Sequence, residues 1–452
     1  MTLKTLTVGL EAGSEADAAY RKVTLRLLPL LGLCYLTAYL DRVNVGFAKL
    51  EMAQDLGLSD VAYGLGAGIF FIGYFLFEVP SNLMLHRVGA KTWLARIMIT
   101  WAMLSAAMAA LGPVRAVFGP AAAVSAFTLL RFLLGSAEAG FFPSVLLYLT
   151  YWFPPSRRSL AVGQFILARP IAFVLGAPLS GMILTWCEGL GGLRAWQWMF
   201  VLEAAPAAVL GLVLLARLDN RLADARWLTV RERQLLARGL DAEAPASTSD
   251  DVRALARNAS IWLLAVAYFL LVLGAYGLNL WLPSIVKAAG VTRDLAVGFL
   301  TALPYAFGAG VMLVIAGRTG DARRARSLSA WMCVLAGGGL TLSATAHTSI
   351  VLMMVGMCLA VAGYLSANVL FWRLPSEAME GRALAAGLAA VNALGNLGGF
   401  LGPYLMGALA ARSGGPRSGL LVLAAALGAA GLVLAAGRWI GDSQQPGRTG
   451  NP

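Results

Sequence analysis

Apolar blocks of about 20 residues recur along this chain, from near position 26 to near position 438, and each is long enough to cross roughly 30 Å of hydrocarbon as a helix. Strands that cross a bilayer alternate polar and apolar residues, and these blocks do not, so the spans read as helices. Composition agrees: 59% of the 452 residues are hydrophobic and 13% charged, where a soluble domain carries about a quarter charged. The expected fold is an all-α integral membrane protein. Its twelve or so spans lie near 26–48, 61–85, 92–112, 122–150, 159–187, 195–217, 260–286, 295–317, 328–347, 349–372, 383–411 and 418–438.

Most of the 35 Lys and Arg fall in the two ends and the even-numbered loops, a bias that predicts cytoplasmic termini. The same bias absorbs the net charge of +12, which therefore does not point to nucleic acid. The first 25 residues are polar and charged, so no cleaved secretory signal is expected. Cys34, Cys187, Cys333 and Cys358 stand singly, without metal or disulfide spacing, and read as packing residues. His86 and His347 sit at loop ends, which gives no sign of histidine-based catalysis. With no Walker A motif, zinc-ligand pair or Ser-His-Asp set, neither ATP-driven transport nor hydrolysis is supported, and no enzyme, cofactor or metal is expected.

One long polar interruption, 217–258, divides the chain. It separates an N-terminal six-helix bundle (1–216) from a C-terminal one (259–452) and is expected to be a cytoplasmic linker. Thr229 and Glu232 have capping-box spacing, which predicts a short surface helix there. The halves echo each other. RSLAVG at 158–163 opens the fifth span and RALAAG at 382–387 the eleventh, and Pro178 (GAPLSG) and Pro403 (GPYLMG) follow near the far ends. Repeated halves in a polytopic protein suggest a transporter whose site lies between them.

Charges inside the spans point the same way. Before Asp41 the apolar run Leu27–Leu40 would rise only about 21 Å, too short to cross, so the helix must continue through Asp41, Arg42 and Asn44. The alternative is a short or tilted span with Asp41 and Arg42 at its rim. In the fourth span Arg131 and Glu138 lie two turns apart on one face, with apolar flanks too long for snorkelling. Such groups cost several kcal/mol in lipid unless they face each other or a wet cavity. A guanidinium offers a fixed fork to a carboxylate, and a carboxylate in a partly dry cavity can exchange protons. Arg42 and Arg131 are therefore candidate anion ligands, and Asp41 and Glu138 candidate proton carriers, with a purely structural ion pair of Arg131 and Glu138 as the alternative. Arg169 in ILARPIAF is either a further anion ligand or the structural partner of a carboxylate. Glu78 and Glu203 read as structurally paired groups near helix ends.

At these residues the chain resembles the major facilitator superfamily and, within it, the anion:cation symporter family. The resemblance runs from about residue 25 to 440 through YLDRVNVGFA, GYFLFEVPSNL, RFLLGSAEAGFFP, WQWMFVLEAAPA, WLTVRER, YGLNLWLP and GNLGGFLGP. It implies proton-coupled uptake of organic anions such as sugar acids, tartrate, phthalate or hydroxyphenylacetate across a bacterial inner membrane. By motif it gives the proton roles to Asp41 and Glu138 and substrate binding or coupling to Arg42 and Arg131. Tyr74, Gln164, Trp372, Asn392 and Asn396 fall where relatives line the cavity. Two features depart from the pattern. The loop signature between spans two and three reads NLMLHRVGAK, with Asn82 and His86 replacing its Gly and Asp, whereas GRTGDARR (Gly317, Asp321, Arg323, Arg324) keeps more of it. Arg169 is not a residue of the family pattern.

The expectation is a monomeric secondary carrier in the lipid bilayer that imports a small organic anion with protons. A proton-coupled exporter of the same fold is the alternative. A non-transporting nutrient receptor is a further one, for which the linker looks too short to be a signalling domain.

Overall fold

The computed structural model describes residues 3–242, 259–317, 322–346, 349–375 and 381–436, and among these there are helices and turns but no strand. In hydrocarbon a helix satisfies every backbone polar group within itself, which is why sequences this apolar adopt it. In the N-terminal half the helices are α1 (Leu3–Leu56), α2 (Asp60–Val88), α3 (Ala90–Ala107), α4 (Leu111–Phe118), α5 (Pro120–Glu138), α6 (Phe141–Thr150), α7 (Pro155–Ile166), α8 (Ala168–Trp186) and α9 (Ala195–Arg217). A surface helix, α10 (Val230–Ala242), follows. The C-terminal half holds α11 (Ala259–Ala288), α12 (Asp294–Ala316), α13 (Ala322–Thr345), α14 (Ile350–Phe371), α15 (Gly381–Ser413) and α16 (Arg417–Ala436).

Eleven stretches of the described residues are long and apolar enough to cross a membrane, and α15 is a further long helix of 33 residues. Three spans consist of two helical pieces: α3 with α4, α5 with α6, and α7 with α8. Serines cap the entries where a loop turns back: Ser59 accepts from the Ala62 N–H at 3.2 Å and Ser349 from Leu352 at 3.3 Å. The capping box at α10 is formed in both directions, Thr229 N–H to Glu232 Oε2 at 2.7 Å and Glu232 N–H to Thr229 Oγ1 at 3.2 Å. The first helix begins far ahead of position 26. Its projecting end is tied down by Lys22 to Glu232 (3.1 Å), Glu15 to Arg231 (2.7 Å) and Asp17 to Arg157.

The twelve spans form two six-helix bundles. In the first, α1 packs on α8 and α9, α2 on α5, and α3 on α9; in the second, α11 packs on α15 and α16, and α13 on α14 and α16. The bundles meet along two main seams, α2 with α15 and α8 with α12. The two seams correspond under the internal repeat, since α2 and α12 are equivalent second spans and α8 and α15 equivalent fifth spans of their halves. The similar placement of Pro178 and Pro403 in the two halves has its physical meaning here. A Cβ at Gly64 would sit 2.6 Å from the Pro403 carbonyl oxygen, and one at Gly298 would sit 2.7 Å from Ala177 O and 3.2 Å from Pro178 Cα. Only small residues let backbones approach so closely. Arg382, in the matching RALAAG, has a side chain outside the described residues, as does Asp321 of GRTGDARR.

These contacts lie between mid-membrane and the face away from α10. On that far face the Lys49 ammonium lies 3.2 Å from the Trp281 ring centroid and 2.8 Å from Asp60 Oδ1, while the Tyr63 hydroxyl donates to Leu280 O at 2.9 Å.

Candidate functional site

Asp41 and Arg42 are chain neighbours on α1, so their side chains leave the helix about 100° apart and serve different regions. Both lie well inside the span, not at its rim. Asp41 is 1% exposed and turns toward α3, where its Oδ1 accepts from the Ser105 hydroxyl and, at 3.4 Å, from Asn44 Nδ2. Of the two arginines, Arg131 bears more on its charge than Arg42 does. Arg131 is also 1% exposed, under the Phe70 ring at 5.0 Å, with one long bond of 3.5 Å from Nη2 to Ala67 O. Its Nε and Nη1 have no hydrogen-bond partner among the described residues. Asp41 and Arg131 are thus opposite charges buried in the N-terminal bundle, with no direct ion pair between them among the described residues.

Arg42 points the other way, to the space between bundles. Its Nε and Nη2 both donate to Glu138 Oε1, at 3.0 and 2.5 Å, and its Nη1 donates to the Tyr276 hydroxyl of α11 at 2.9 Å. The rings of Tyr39, Phe70 and Tyr74 surround the guanidinium at 4.9, 5.3 and 5.4 Å, a cage that favours a cation. Glu138 is the last residue of α5, because the span breaks immediately after it. Gly140 takes a left-handed conformation (φ +84°) that other residues resist, and Pro143 lacks the N–H that would have bonded Ala139 O. A side chain at 140 would also strike Ser81. Irregular backbone survives at this depth only where protein or a water-filled cavity surrounds it. The open end of α5 carries partial negative charge, which Arg42 offsets along with the carboxylate.

Arg169 sits at a second break, between α7 and α8, where Pro170 deprives Ile166 of a bond. Its Cζ lies 5.3 Å from the Tyr39 ring, and Tyr276, Tyr35 and Tyr364 are the other groups that bear most on its charge. Tyr268 feels it as well. Its buried Nε has no hydrogen-bond partner among the described residues. Across from it, Asn279 of α11 accepts from Tyr305 (2.7 Å) and Tyr364 (3.0 Å) through Oδ1, leaving its buried Nδ2 without a partner.

The structure brings Tyr74 to Arg42 but distributes the other candidates more widely. Trp372 is half-buried against Tyr268, whose ring centre is 4.9 Å away. Asn392 donates to Glu78 Oε1 at 2.9 Å, and Asn396 faces the same carboxylate, so these two amides of α15 are engaged by an acid of α2. Gln164 is exposed and lines a groove with Asp17, Tyr20 and Arg157 near the start of α1, away from Arg42. Glu203 lies inside α9, not near its end, and takes a bond from the Ser180 hydroxyl at 2.8 Å. Both Glu78 and Glu203 are therefore held by neutral groups. Sequence reasoning missed Tyr39, Ser105, Tyr276 and Asn279. The signal for the last two was present in YGLNLWLP, where an amide interrupts an otherwise apolar helix.

Comparison with known proteins fits this geometry. Residues 31–403 match the family model described as Major Facilitator Superfamily. A protein of Agrobacterium vitis that carries the provisional name tartrate transporter is 43% identical, covering 90% of this chain and 88% of its own. A quinolone resistance transporter of Acinetobacter baumannii is 40% identical, covering 89% and 91%. Among solved structures, a bacterial homologue of the human lysosomal transporter Spinster, inward-facing and occupied, superposes with a TM-score of 0.71 at 16% identity, over 92% of this chain and 96% of that one. The chain is a multi-pass membrane transporter, not an enzyme, and it belongs to the Major Facilitator Superfamily.

Proposed function

We propose that the protein imports a small organic anion together with protons by alternating access. The observation that carries this reading is the double hold of Arg42, on Glu138 of its own bundle and on Tyr276 of the other. An incoming carboxylate competes with Glu138 for the same guanidinium fork. Glu138 can release Arg42 only when protonated, because an unpaired carboxylate at this depth costs several kcal/mol. Anion and proton therefore arrive together, and each favours binding of the other by the same factor. The arriving anion also draws Arg42 Nη1 from Tyr276, the bond that spans the bundles, which links occupancy to their movement. Asp41, beside Arg131, is the second proton site, and protons are the coupling ion with no other cofactor.

The distribution of Lys and Arg supports placing the α10 face in the cytoplasm, with both termini there. The far-face seams are closed in this conformation, and import ends with release of the cargo on the α10 face. The bacterial relatives support an inner-membrane location, and the provisional name of the Agrobacterium vitis protein supports an organic acid as cargo. The carrier works as a monomer.

The test is uptake of a panel of radiolabelled organic acids into proteoliposomes under imposed pH gradients. Accumulation driven by an acidic exterior and collapsed by a protonophore is the expected result. A second reading, export by proton antiport, is favoured by the name of the Acinetobacter baumannii relative. Accumulation driven only by an acidic interior would establish that reading instead.

A further inference from the structure

Two guanidiniums face the space between the bundles, and they differ in one respect. Arg42 holds a carboxylate, whereas no carboxylate forms an ion pair with Arg169 among the described residues, and its environment consists of tyrosines. Both lie against the same ring, Arg42 at 4.9 Å and Arg169 at 5.3 Å from the Tyr39 centroid, which places the two cations at most about 10 Å apart. A cation at membrane depth without a counter-charge is costly to maintain, so a site that retains one is built for a ligand that supplies the missing charge.

Asn279 adds a second, independent indication. Two tyrosine hydroxyls converge on its Oδ1, which fixes the amide orientation and leaves both Nδ2 hydrogens for an outside acceptor. Tyr364 connects the two features, since it donates to Asn279 and bears on the Arg169 charge. Between the bundles the structure thus places two guanidiniums and one buried, unmatched amide donor, a set suited to an occupant rich in acceptor oxygens.

We infer that Arg169 forms a second anion subsite and that the cargo is a short dicarboxylate, one carboxylate taken by Arg42 and the other by Arg169. This rests on the organic-anion reading and narrows it. Glu138 competes only for the Arg42 end. The Arg169 end is open to the diacid in either protonation state, so it captures the cargo first and the proton-linked exchange at Arg42 follows.

The experiment compares binding of tartrate with that of its monoamide, which has the same size and one charge fewer, to purified wild-type protein, R169Q, R169K and R42Q. Wild type is expected to favour the diacid by at least tenfold. R169Q is expected to bind diacid and monoamide alike, at about the affinity of wild type for the monoamide. R169K should keep part of the preference, and R42Q should lose both ligands. If R169Q keeps the wild-type preference, the second subsite does not exist. If R169Q loses both ligands while R169K, equally stable in thermal melts, keeps them without a preference, Arg169 is structural and the inference fails. If wild type binds the two equally, the dicarboxylate inference fails while the organic-anion reading stands. If wild type binds neither these nor any acid of the uptake panel, both fall.

Discussion

The two bundles face the same central space with opposite chemistry. From the N-terminal side come Arg42, Glu138 and Arg169, backed by Asp41 and Arg131 inside that bundle, and from the C-terminal side Tyr268, Tyr276, Asn279, Tyr305 and Tyr364. One wall can change its charge and the other cannot. A group that gains or loses a proton reports the gradient, while fixed amides and hydroxyls report the shape and oxygen pattern of the cargo. The contrast has one exception. Glu78, a carboxylate of the first bundle, is held by Asn392 and Asn396 of the second, so part of the neutral wall fastens the bundles together.

The comparison breaks most visibly at the charged wall. Glu138→Gln, and likewise Asp41→Asn, is expected to reduce gradient-driven accumulation by roughly tenfold or more, within the range of a typical coupling free energy, while exchange of cargo across the membrane persists. Full accumulation by both variants at unaltered pH dependence would remove the proton role from this wall. Asn279→Ala probes the neutral wall. Losing one matched buried donor should cost about 1–3 kcal/mol for hydroxylated acids and less for unsubstituted ones, with the pH profile of residual transport retained. An altered pH profile with the substrate order intact would reverse the assignment.

The exception is sharpened by a double-mutant cycle on Glu78→Gln and Asn392→Ala. The two changes to transport rate should be non-additive by about 0.5–3 kcal/mol, the range for residues in contact. Additive effects, measured from initial rates, would mean that the bond does not matter to bundle movement. The smallest effect is expected outside the membrane. Thr229→Ala removes the N-cap of α10 and should cost that helix about 1 kcal/mol, seen as faster amide exchange over 230–242, with uptake unchanged. The Thr229 backbone N–H, with Lys22 beside it, holds the Glu232 carboxyl below its ordinary range. The stabilisation is present above that range and is lost as pH falls through the lowered value, so α10 should loosen in acid.

Span number and approximate position were legible because hydropathy and length decide them together. The depth of Asp41 and Arg42 followed from counting residues, and the capping box from Thr229 and Glu232. Backbone breaks were not legible by that route. A hydropathy window passes through Ala139 and Gly140 unchanged, although Gly140 followed by Pro143 is a local signal for a turn. Side-chain direction was hidden as well. Neighbours such as Asp41 and Arg42 look like a pair in the chain and are none in space. Tyr276 resembled any aromatic packing residue until Arg42 was found bonded to it. The question over Arg169, ligand or structural partner, turned on which acids surround it, and only three-dimensional placement supplies that.

The seams themselves have a consequence for the speed of switching. Where Gly64 meets Pro403 and Gly298 meets Ala177, backbone rests on backbone. Immobilising a long side chain costs up to about 2 kcal/mol of rotamer freedom, and a glycine has none to lose. Closing or parting these surfaces therefore changes conformational entropy very little in either direction. In the proposed cycle the thermal barrier to reorientation is left to the polar layer above them, where Arg42 exchanges one partner for another, and turnover should carry the enthalpic temperature dependence of that exchange.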